Sequence, residues 1–243
     1  MIRIDAIGKS FGPVCAVDSV SFTAPDGAIT GLLGPNGAGK STTLRMLYTV
    51  LQPDRGTALV DGHDVRTAPL EARRAMGVLP HGTGLYPRLT ARENIAYYGR
   101  LNGLRGADLE RRVDDLVARL EIGEFADRRA KGFSQGQRIK VALARAMVHD
   151  PRNVVLDEPT NGLDVMATRA LRELIRKLKA EGRCVLFSSH VMQEVSALCD
   201  DIVIIAHGRV VAQGSPATLR AQAGEDDLEE VFVRAILRAE GAA

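Results

Sequence analysis

The chain alternates between short apolar runs and stretches whose apolar residues have helical spacing. Apolar and polar residues alternate at 2–7, as in a strand with one buried face, whereas 29–33 is a short apolar run followed by glycines. By these criteria strands are predicted at 2–7, 14–23, 29–33, 58–60, 76–79, 154–156, 184–187, 202–206 and 209–212, and helices at 40–50, 165–180 and 191–198. This alternation of strands and helices favours an α/β fold whose largely parallel sheet is covered on both faces.

The middle of the chain, from about 89 to 150, has helical spacing instead. Apolar residues recur every three or four positions from Leu109 to Leu120 and again from Ile139 to Met147. We interpret this stretch as an insertion in one domain that spans 1–243. The α/β core is then 1–87 and 151–220, the helical subdomain 88–150 and the C-terminal helical tail 221–243, where a short apolar helix ends near Leu237.

Composition limits the possible classes of protein. The 243 residues are 45% hydrophobic and 26% charged with a net charge of +2, which is ordinary for a globular domain and does not favour nucleic-acid binding. No run approaches the ~20 apolar residues of a membrane span, and the first residues do not resemble a signal peptide. Cys15, Cys184 and Cys199 form no CxxC pair, so we expect buried, reduced thiols and a soluble, cytoplasmic chain.

The strongest local motif is Gly34-Pro35-Asn36-Gly37-Ala38-Gly39-Lys40-Ser41-Thr42. It fits G-x-x-x-x-G-K-[ST] and lies between a predicted strand and a predicted helix. The glycines allow backbone N–H groups to approach an anion, and the helix N-terminus favours negative charge. Lys40 could reach the β- and γ-phosphates and the Ser41 hydroxyl could bind Mg²⁺. The alternative is a glycine-rich turn with a chance lysine.

A second polar motif follows the predicted strand at 154–156. Asp157 and Glu158 come directly after it, at the edge of the sheet where the phosphate loop also lies. Asp157 would hold Mg²⁺, usually through water, because this ion loses its hydration shell reluctantly. Glu158 would orient or deprotonate a water that attacks the γ-phosphate. Without the phosphate loop, the pair would be interpreted as a helix cap before Pro159.

Further motifs resemble one family of nucleotide hydrolases, the ATP-binding-cassette (ABC) proteins. Phe133-Ser134-Gln135-Gly136-Gln137, which precedes an alanine-rich helical stretch, resembles the family's signature motif. Asn161-Gly162-Leu163-Asp164 resembles its dimer-contact loop, His190 after Phe187-Ser188-Ser189 its switch histidine, and Phe11 its adenine-stacking aromatic residue. The motifs occur in the family's order, and the resemblance covers essentially the whole chain.

The resemblance implies a fold, a cofactor and an assembly. The fold would be a P-loop NTPase (RecA-like) core with an N-terminal antiparallel β part and the inserted helical subdomain. The chain would bind ATP and Mg²⁺ and hydrolyse ATP, with Glu158, His190 and Lys40 as catalytic residues. Two chains would pair head to tail, so that Ser134, Gly136, Gln137 and Asp164 of one contact the ATP held by the other.

Simpler interpretations exist for three of these residues. Ser134 could serve only as a helix N-cap, because serine is a preferred capping residue. His190 could be an ordinary core or strand-end histidine. Phe11 could belong to the hydrophobic core.

The sequence departs from the family pattern at two positions. Gln135 stands where many members have glycine, which alters one close backbone approach. His81 stands where the family tends to have glutamine near Mg²⁺ and the attacking water. Mg²⁺ prefers oxygen ligands, so we hypothesise that His81 acts on the metal through water or serves mainly in coupling to a partner; a solvated loop histidine is the alternative.

The segment that follows His81 resembles bacterial exporter ATPases, particularly the sodium-efflux branch. We therefore expect a separate transmembrane permease subunit, which would place a cytoplasmic helix on the surface from Tyr86 to Glu93. The chain would lie at the inner face of the cell membrane, as a homodimer or a heterodimer of ATPase subunits, without nucleic acid. Sodium is the first candidate cargo, and drugs or lipids are the alternatives.

Two other classes of function compete with the exporter. A soluble ABC-type ATPase acting on the ribosome or on DNA would carry a second cassette, a long coiled coil or zinc modules, which this sequence lacks. A small-molecule kinase would use the phosphate loop but would not need the motifs at 134–137 and 161–164.

Overall fold

Two β-sheets form the framework of the computed structural model, which describes residues 1–82 and 84–241. The strands are β1 (Ile2–Phe11), β2 (Val14–Ala24), β3 (Ile29–Leu33), β4 (Arg55–Val60), β5 (His63–Asp64), β6 (Met76–Leu79), β7 (Asn153–Asp157), β8 (Cys184–Ser189), β9 (Asp201–Ala206) and β10 (Arg209–Gly214). The smaller sheet is antiparallel, in the order β2-β1-β4-β5. The larger has the order β10-β9-β3-β8-β7-β6, in which only β10 is antiparallel to its neighbour.

Helices cover the larger sheet and fill the connections. They are α1 (Lys40–Leu47), α2 (Pro69–Arg74), α3 (Ala91–Leu101), α4 (Gly106–Arg119), α5 (Gln135–Met147), α6 (Val165–Ala180), α7 (Met192–Leu198), α8 (Pro216–Ala223) and α9 (Leu228–Gly241). The α3 helix begins with a capping box, in which the Thr90 hydroxyl accepts from the Glu93 N–H and the Glu93 carboxylate accepts from the Thr90 N–H. The prediction of an α/β fold with a mostly parallel sheet, an antiparallel part and an inserted helical region is confirmed.

Two hydrophobic clusters lie on opposite sides of the larger sheet. One joins α1 to the antiparallel sheet and includes Leu44 and Leu47 of α1 with Ile2 and Val17 of β1 and β2. The other joins the opposite side of the larger sheet to α3–α9. The order of the strands places β3 beside β8 and β8 beside β7, so the carboxyl ends of all three meet at one edge. The loops that carry the candidate chemistry begin at this edge, as expected for parallel α/β sheets.

The cysteines differ from the expectation at one position. Cys184 and Cys199 are buried, and burial raises the pKa of the Cys184 thiol to about 12. Cys15 is exposed, because it lies on β2 near the tip of the β1–β2 hairpin, so the prediction of a buried thiol was wrong there.

The helices of the described residues all fall short of the length and apolarity that a bilayer span requires.

Candidate functional site

The phosphate loop connects β3 to α1 in a backbone conformation that requires glycine. A Cβ atom on Gly34 would lie 2.3 Å from the Ile205 carbonyl oxygen. Gly39, directly before α1, has a φ of +102°, and a Cβ there would lie 2.6 Å from the Ala16 oxygen. The loop therefore packs closely against β2 and β9, which fixes the position of the α1 N-terminus.

Lys40 lies inside this loop with only 5% of its side chain exposed. Its ammonium group donates to the carbonyl oxygens of Gly34 (2.7 Å) and Pro35 (3.0 Å) and lies 3.9 Å from Glu158 Oε1. Burial lowers the pKa of Lys40, while the negative charges of Glu158 and Asp157 oppose this shift. The ammonium group is thus held where an anion in the loop would meet a fixed positive charge.

Asp157, the last residue of β7, is 1% exposed and binds hydroxyl groups from two other elements. Its Oδ1 accepts from Ser41 Oγ (3.2 Å) and from Ser188 Oγ (2.7 Å). Its Oδ2 is buried and has no hydrogen-bond partner among the described residues. An unpaired buried carboxylate oxygen is costly, and a hydrated Mg²⁺ ion would satisfy it. The hydroxyl of Ser41 and the free oxygen of Asp157 are therefore suited to hold this ion.

Glu158 is the centre of a cluster of ionisable side chains. Its carboxylate is 12% exposed, with Oε1 3.4 Å from His190 Nδ1 and Oε2 3.7 Å from His81 Nδ1. Its φ of +49° is unusual for a residue with a side chain, and its N–H donates to Ser188 Oγ (3.0 Å). The helix that follows is capped by Asp164, so the interpretation of Asp157 and Glu158 as a cap was wrong.

Two of the sequence hypotheses change in this geometry. His190 lies on the carboxylate of Glu158 and is 45% exposed, so it is not a core histidine. His81 is 51% exposed and faces Glu158, with its Nδ1 3.7 Å from Glu158 Oε2. A role of His81 at the metal through water stays a prediction. The contact of its imidazole with the carboxylate of Glu158, the candidate base, is an observation of the structure.

The signature residues lie at the start of α5 and are bonded within their own helix. Ser134 Oγ accepts from Gln137 N (3.2 Å), and Gln137 Oε1 accepts from Ser134 N (3.1 Å). The capping role of Ser134 is thus real, and its predicted contact with ATP on a second chain, together with that of Gly136, remains a prediction. Both Ser134 and Gln135 are exposed, so a second chain has access to them.

Asp164 and Phe11 also occupy accessible positions. Asp164 Oδ1 accepts from Ala167 N (2.8 Å) and caps α6. Phe11 ends β1 with 48% of its surface exposed, and the Lys9 ammonium lies 5.8 Å from the centre of its ring. The interpretation of Phe11 as a core residue was therefore wrong, and its stacking on adenine stays a prediction.

Sequence reasoning missed two features of the site. Ser188 joins Asp157 to the backbone of Glu158, and its only sequence signal is a hydroxyl at the end of a predicted strand beside β7. Gln135 lines a cleft of about 130 Å³ together with His81, Glu158 and Asn161. The residue that departs from the family's glycine therefore stands next to the candidate base of its own chain.

Comparisons with known proteins match most of the chain. Residues 17–161 match the sequence model of a family described as ABC transporter. The ABC transporter ATP-binding protein NatA of Bacillus subtilis (strain 168) is 45% identical over 93% of this chain and 92% of its own length. The Nod factor export ATP-binding protein I of Paraburkholderia xenovorans (strain LB400) is 39% identical over 95% of this chain and 76% of its own. A solved structure described as the ATP binding subunit of an ABC transporter is 30% identical with a TM-score of 0.89, covering 97% of this chain and 99% of its own.

Proposed function

The chain belongs to the ABC transporter family of ATPases, and from this premise we propose that it is the ATP-hydrolysing subunit of a membrane exporter. One observation carries the proposal, namely that four motif residues meet at the edge of one sheet. Ser41 Oγ lies 3.2 Å from Asp157 Oδ1, and Lys40 Nζ lies 3.9 Å from Glu158 Oε1. This arrangement unites a cation for phosphates, oxygen ligands for Mg²⁺ and a candidate base.

The residues support the following chemistry. The backbone N–H groups at the start of α1 and the Lys40 ammonium bind the β- and γ-phosphates of ATP. Ser41 and Asp157 would hold Mg²⁺, which when bound would neutralise charge on these phosphates. Glu158 accepts a proton from the water whose oxygen forms the new bond to the γ-phosphorus. The bond from that phosphorus to the ADP oxygen breaks, and ADP and phosphate leave; His190 contacts the γ-phosphate.

A second chain would complete the site. The exposed N-terminal end of α5, with Ser134, Gly136 and Gln137, would contact the γ-phosphate of ATP held by the partner, together with the loop that ends at Asp164. These contacts exist only while the γ-phosphate is present, so ATP would favour a closed head-to-tail dimer and hydrolysis would reopen it.

The candidate surface for a membrane partner follows His81 along the chain. Tyr86 is 44% exposed, and its ring packs edge-on against Tyr97 at 5.2 Å between centroids. The buried Asn94 holds this segment, because its side chain accepts from Tyr86 N (2.9 Å) and donates to Tyr86 O (3.1 Å). We propose that a cytoplasmic helix of the permease binds at Tyr86–Glu93 and holds the chain at the inner face of the membrane. In the sequence, four residues separate Tyr86 from His81.

The cargo is set by the permease. The likeness of the segment after His81 to the sodium-efflux branch makes sodium the first candidate. Drugs and lipids are the alternatives, and the Nod factor export protein among the relatives extends the range to other exported molecules.

Co-purification with Lys40→Ala as a comparison tests the proposal. The wild-type chain is expected to co-purify with an integral membrane protein. Vesicles that contain the chain and this membrane protein should release free phosphate from ATP. Lys40→Ala should bind the same membrane protein but lose tight ATP binding in calorimetry, because the charge that faces the phosphates is gone. Lys177→Ala, which removes an exposed lysine on α6, should behave like wild type. Normal ATP affinity in Lys40→Ala would contradict the assignment of the phosphate site. Co-purification of the wild-type chain with ribosomes or DNA instead of a membrane protein would contradict the exporter. Transfer of phosphate to a metabolite without release of free phosphate would contradict it as well.

A pH comparison tests the contact of His81 with Glu158. A proton on the His81 imidazole would place a positive charge beside Glu158, which would pair with the carboxylate and weaken it as a base. The ratio of ATPase rates, wild type to His81→Gln, should therefore fall as the pH is lowered from about 8 to about 6. The glutamine keeps a polar side chain without this charge, and His190 is present in both proteins. A constant ratio would exclude His81 from the chemistry.

A further inference from the structure

Glu194 is a buried carboxylate that the proposed chemistry does not use. It lies in the first turn of α7 and is 6% exposed. Its Oε2 accepts from the hydroxyls of Thr160 (2.7 Å) and Ser189 (2.9 Å). Removing a carboxylate from water is costly unless such bonds satisfy it, and bonds to a charged acceptor are stronger than those between neutral groups. Glu194 is therefore a firm anchor for both hydroxyl groups.

The two hydroxyls belong to different loops of the candidate site. Thr160 stands two residues after Glu158, in the loop that leads to Asp164. Ser189 ends β8 directly before His190, and its hydroxyl also accepts from Val191 N (3.0 Å). Glu194 thus joins the loop that carries Glu158 to the loop that carries His190, and it does so from a position buried away from solvent.

The turn after Glu158 is a strained element that needs such support. The left-handed conformation of Glu158 is costly for a residue with a side chain and persists only where neighbouring contacts hold it. Asn161 N donates to the backbone carbonyl oxygen of Glu158 (3.2 Å), and Leu163 N donates to the backbone carbonyl oxygen of Thr160 (3.0 Å). Thr160 lies inside the turn closed by Glu158 and Asn161, and its carbonyl oxygen accepts the hydrogen bond that closes the second turn. Its hydroxyl bond to Glu194 therefore fixes the base and the dimer-contact loop together.

We propose that Glu194 is a positioning residue that couples the dimer-contact loop to the pair formed by His190 and Glu158. A displacement of Asn161–Asp164 by a second chain reaches Ser189 through Thr160 and Glu194, and changes the 3.4 Å separation of His190 and Glu158. The inference rests on the proposed function, because it assigns Glu194 a role in hydrolysis that the dimer-contact loop controls.

Steady-state kinetics of four variants test the proposal. Glu194→Ala should lower kcat about ten- to a hundredfold, because a misplaced reacting group is costly even when all reacting groups are present. The KM for ATP should stay within about twofold, since Lys40 and Ser41 are untouched. Glu194→Gln retains one acceptor oxygen and should recover part of the rate. Thr160→Val and Ser189→Ala each remove one donor and should each lower kcat by a smaller factor.

Double variants separate coupling from simple loss of stability. Thr160→Val should lower kcat in the wild-type background but have no further effect in Glu194→Ala, because the bond is already lost. Glu110→Ala, which removes an exposed carboxylate on α4, is the matched control and should keep the wild-type kcat and Tm.

The outcomes distinguish this inference from the proposed function. If wild type does not hydrolyse ATP, the proposed function fails and this inference with it. If wild type hydrolyses ATP and Glu194→Ala keeps its kcat, or raises KM alone, only the positioning role is overturned. If Glu194→Ala does not fold, unchanged kcat in both Thr160→Val and Ser189→Ala overturns it equally.

Discussion

Glu158→Gln is expected to slow ATP hydrolysis about 10²–10⁴-fold, the usual cost of losing a general base. The amide has the shape of the carboxylate but accepts a proton poorly. Mg-ATP binding should persist, because Lys40, Ser41 and Asp157 remain. Removing the negative charge also removes an interaction that raises the pKa of Lys40, yet the phosphates of bound ATP provide the same stabilisation of its charge.

The stalled enzyme should accumulate as an ATP-bound closed dimer. Phosphate release measures the rate, calorimetry the affinity, and light scattering the mass with and without ATP. Glu230→Gln, an exposed position on α9, is the control and should leave all three measurements unchanged. Turnover near the wild-type rate in Glu158→Gln would mean that another group activates the water.

The larger elements could be predicted because burial leaves a strong pattern in them. The bounds predicted for β3, β6 and α6 agree with the structure. The α2 and α8 helices were missed, because each buries a single side chain, Ala72 and Leu219 respectively, and such helices have no apolar periodicity. The tail helix was predicted to end near Leu237, but α9 continues to Gly241.

The residues of the candidate site also divide into those that the sequence predicts and those that only the structure reveals. Lys40 and Ser41 could be named because they end a glycine-rich motif between a strand and a helix, and Asp157 and Glu158 because they stand at the end of a strand. Parallel strands bring both positions to one edge of the sheet. Ser188, Glu194 and the position of Gln135 could not be named, because their roles depend on which loops pack together in space. Serine and glutamate are too common on surfaces for their sequence positions alone to indicate a buried network.

Ser134→Arg is expected to abolish turnover while leaving ATP binding by the single chain intact. Ser134 is exposed at the start of α5, and its hydrogen bonds to Gln137 are separate from the bond between Ser41 and Asp157. A long cationic side chain there would enter the space that the partner's ATP needs, and the head-to-tail dimer could not close. Calorimetry of the monomer and phosphate release at high protein concentration measure the two effects separately.

Loss of the helix cap is a second consequence of the same substitution and needs its own control. Removing a serine cap costs about 1 kcal/mol. Ser215 caps α8 in the same way, by accepting from Thr218 N (3.1 Å), so Ser215→Arg makes an equivalent loss and adds the same charge elsewhere. Ser215→Arg should hydrolyse ATP like wild type, and a similar loss of turnover in both variants would reduce the effect at Ser134 to helix stability.

A mixture of Ser134→Arg and Lys40→Ala chains provides the sharpest test of the head-to-tail arrangement. In a mixed dimer, the intact phosphate loop of the Ser134→Arg chain faces the intact signature of the Lys40→Ala chain, so one of the two sites is complete. If chains pair at random, half of the dimers are mixed, and the mixture can recover at most about a quarter of the wild-type sites. Each variant alone has no complete site and should show no turnover. Activity in the mixture but in neither variant requires that the two chains share each site, whereas normal hydrolysis by Ser134→Arg alone would show that each chain completes its own.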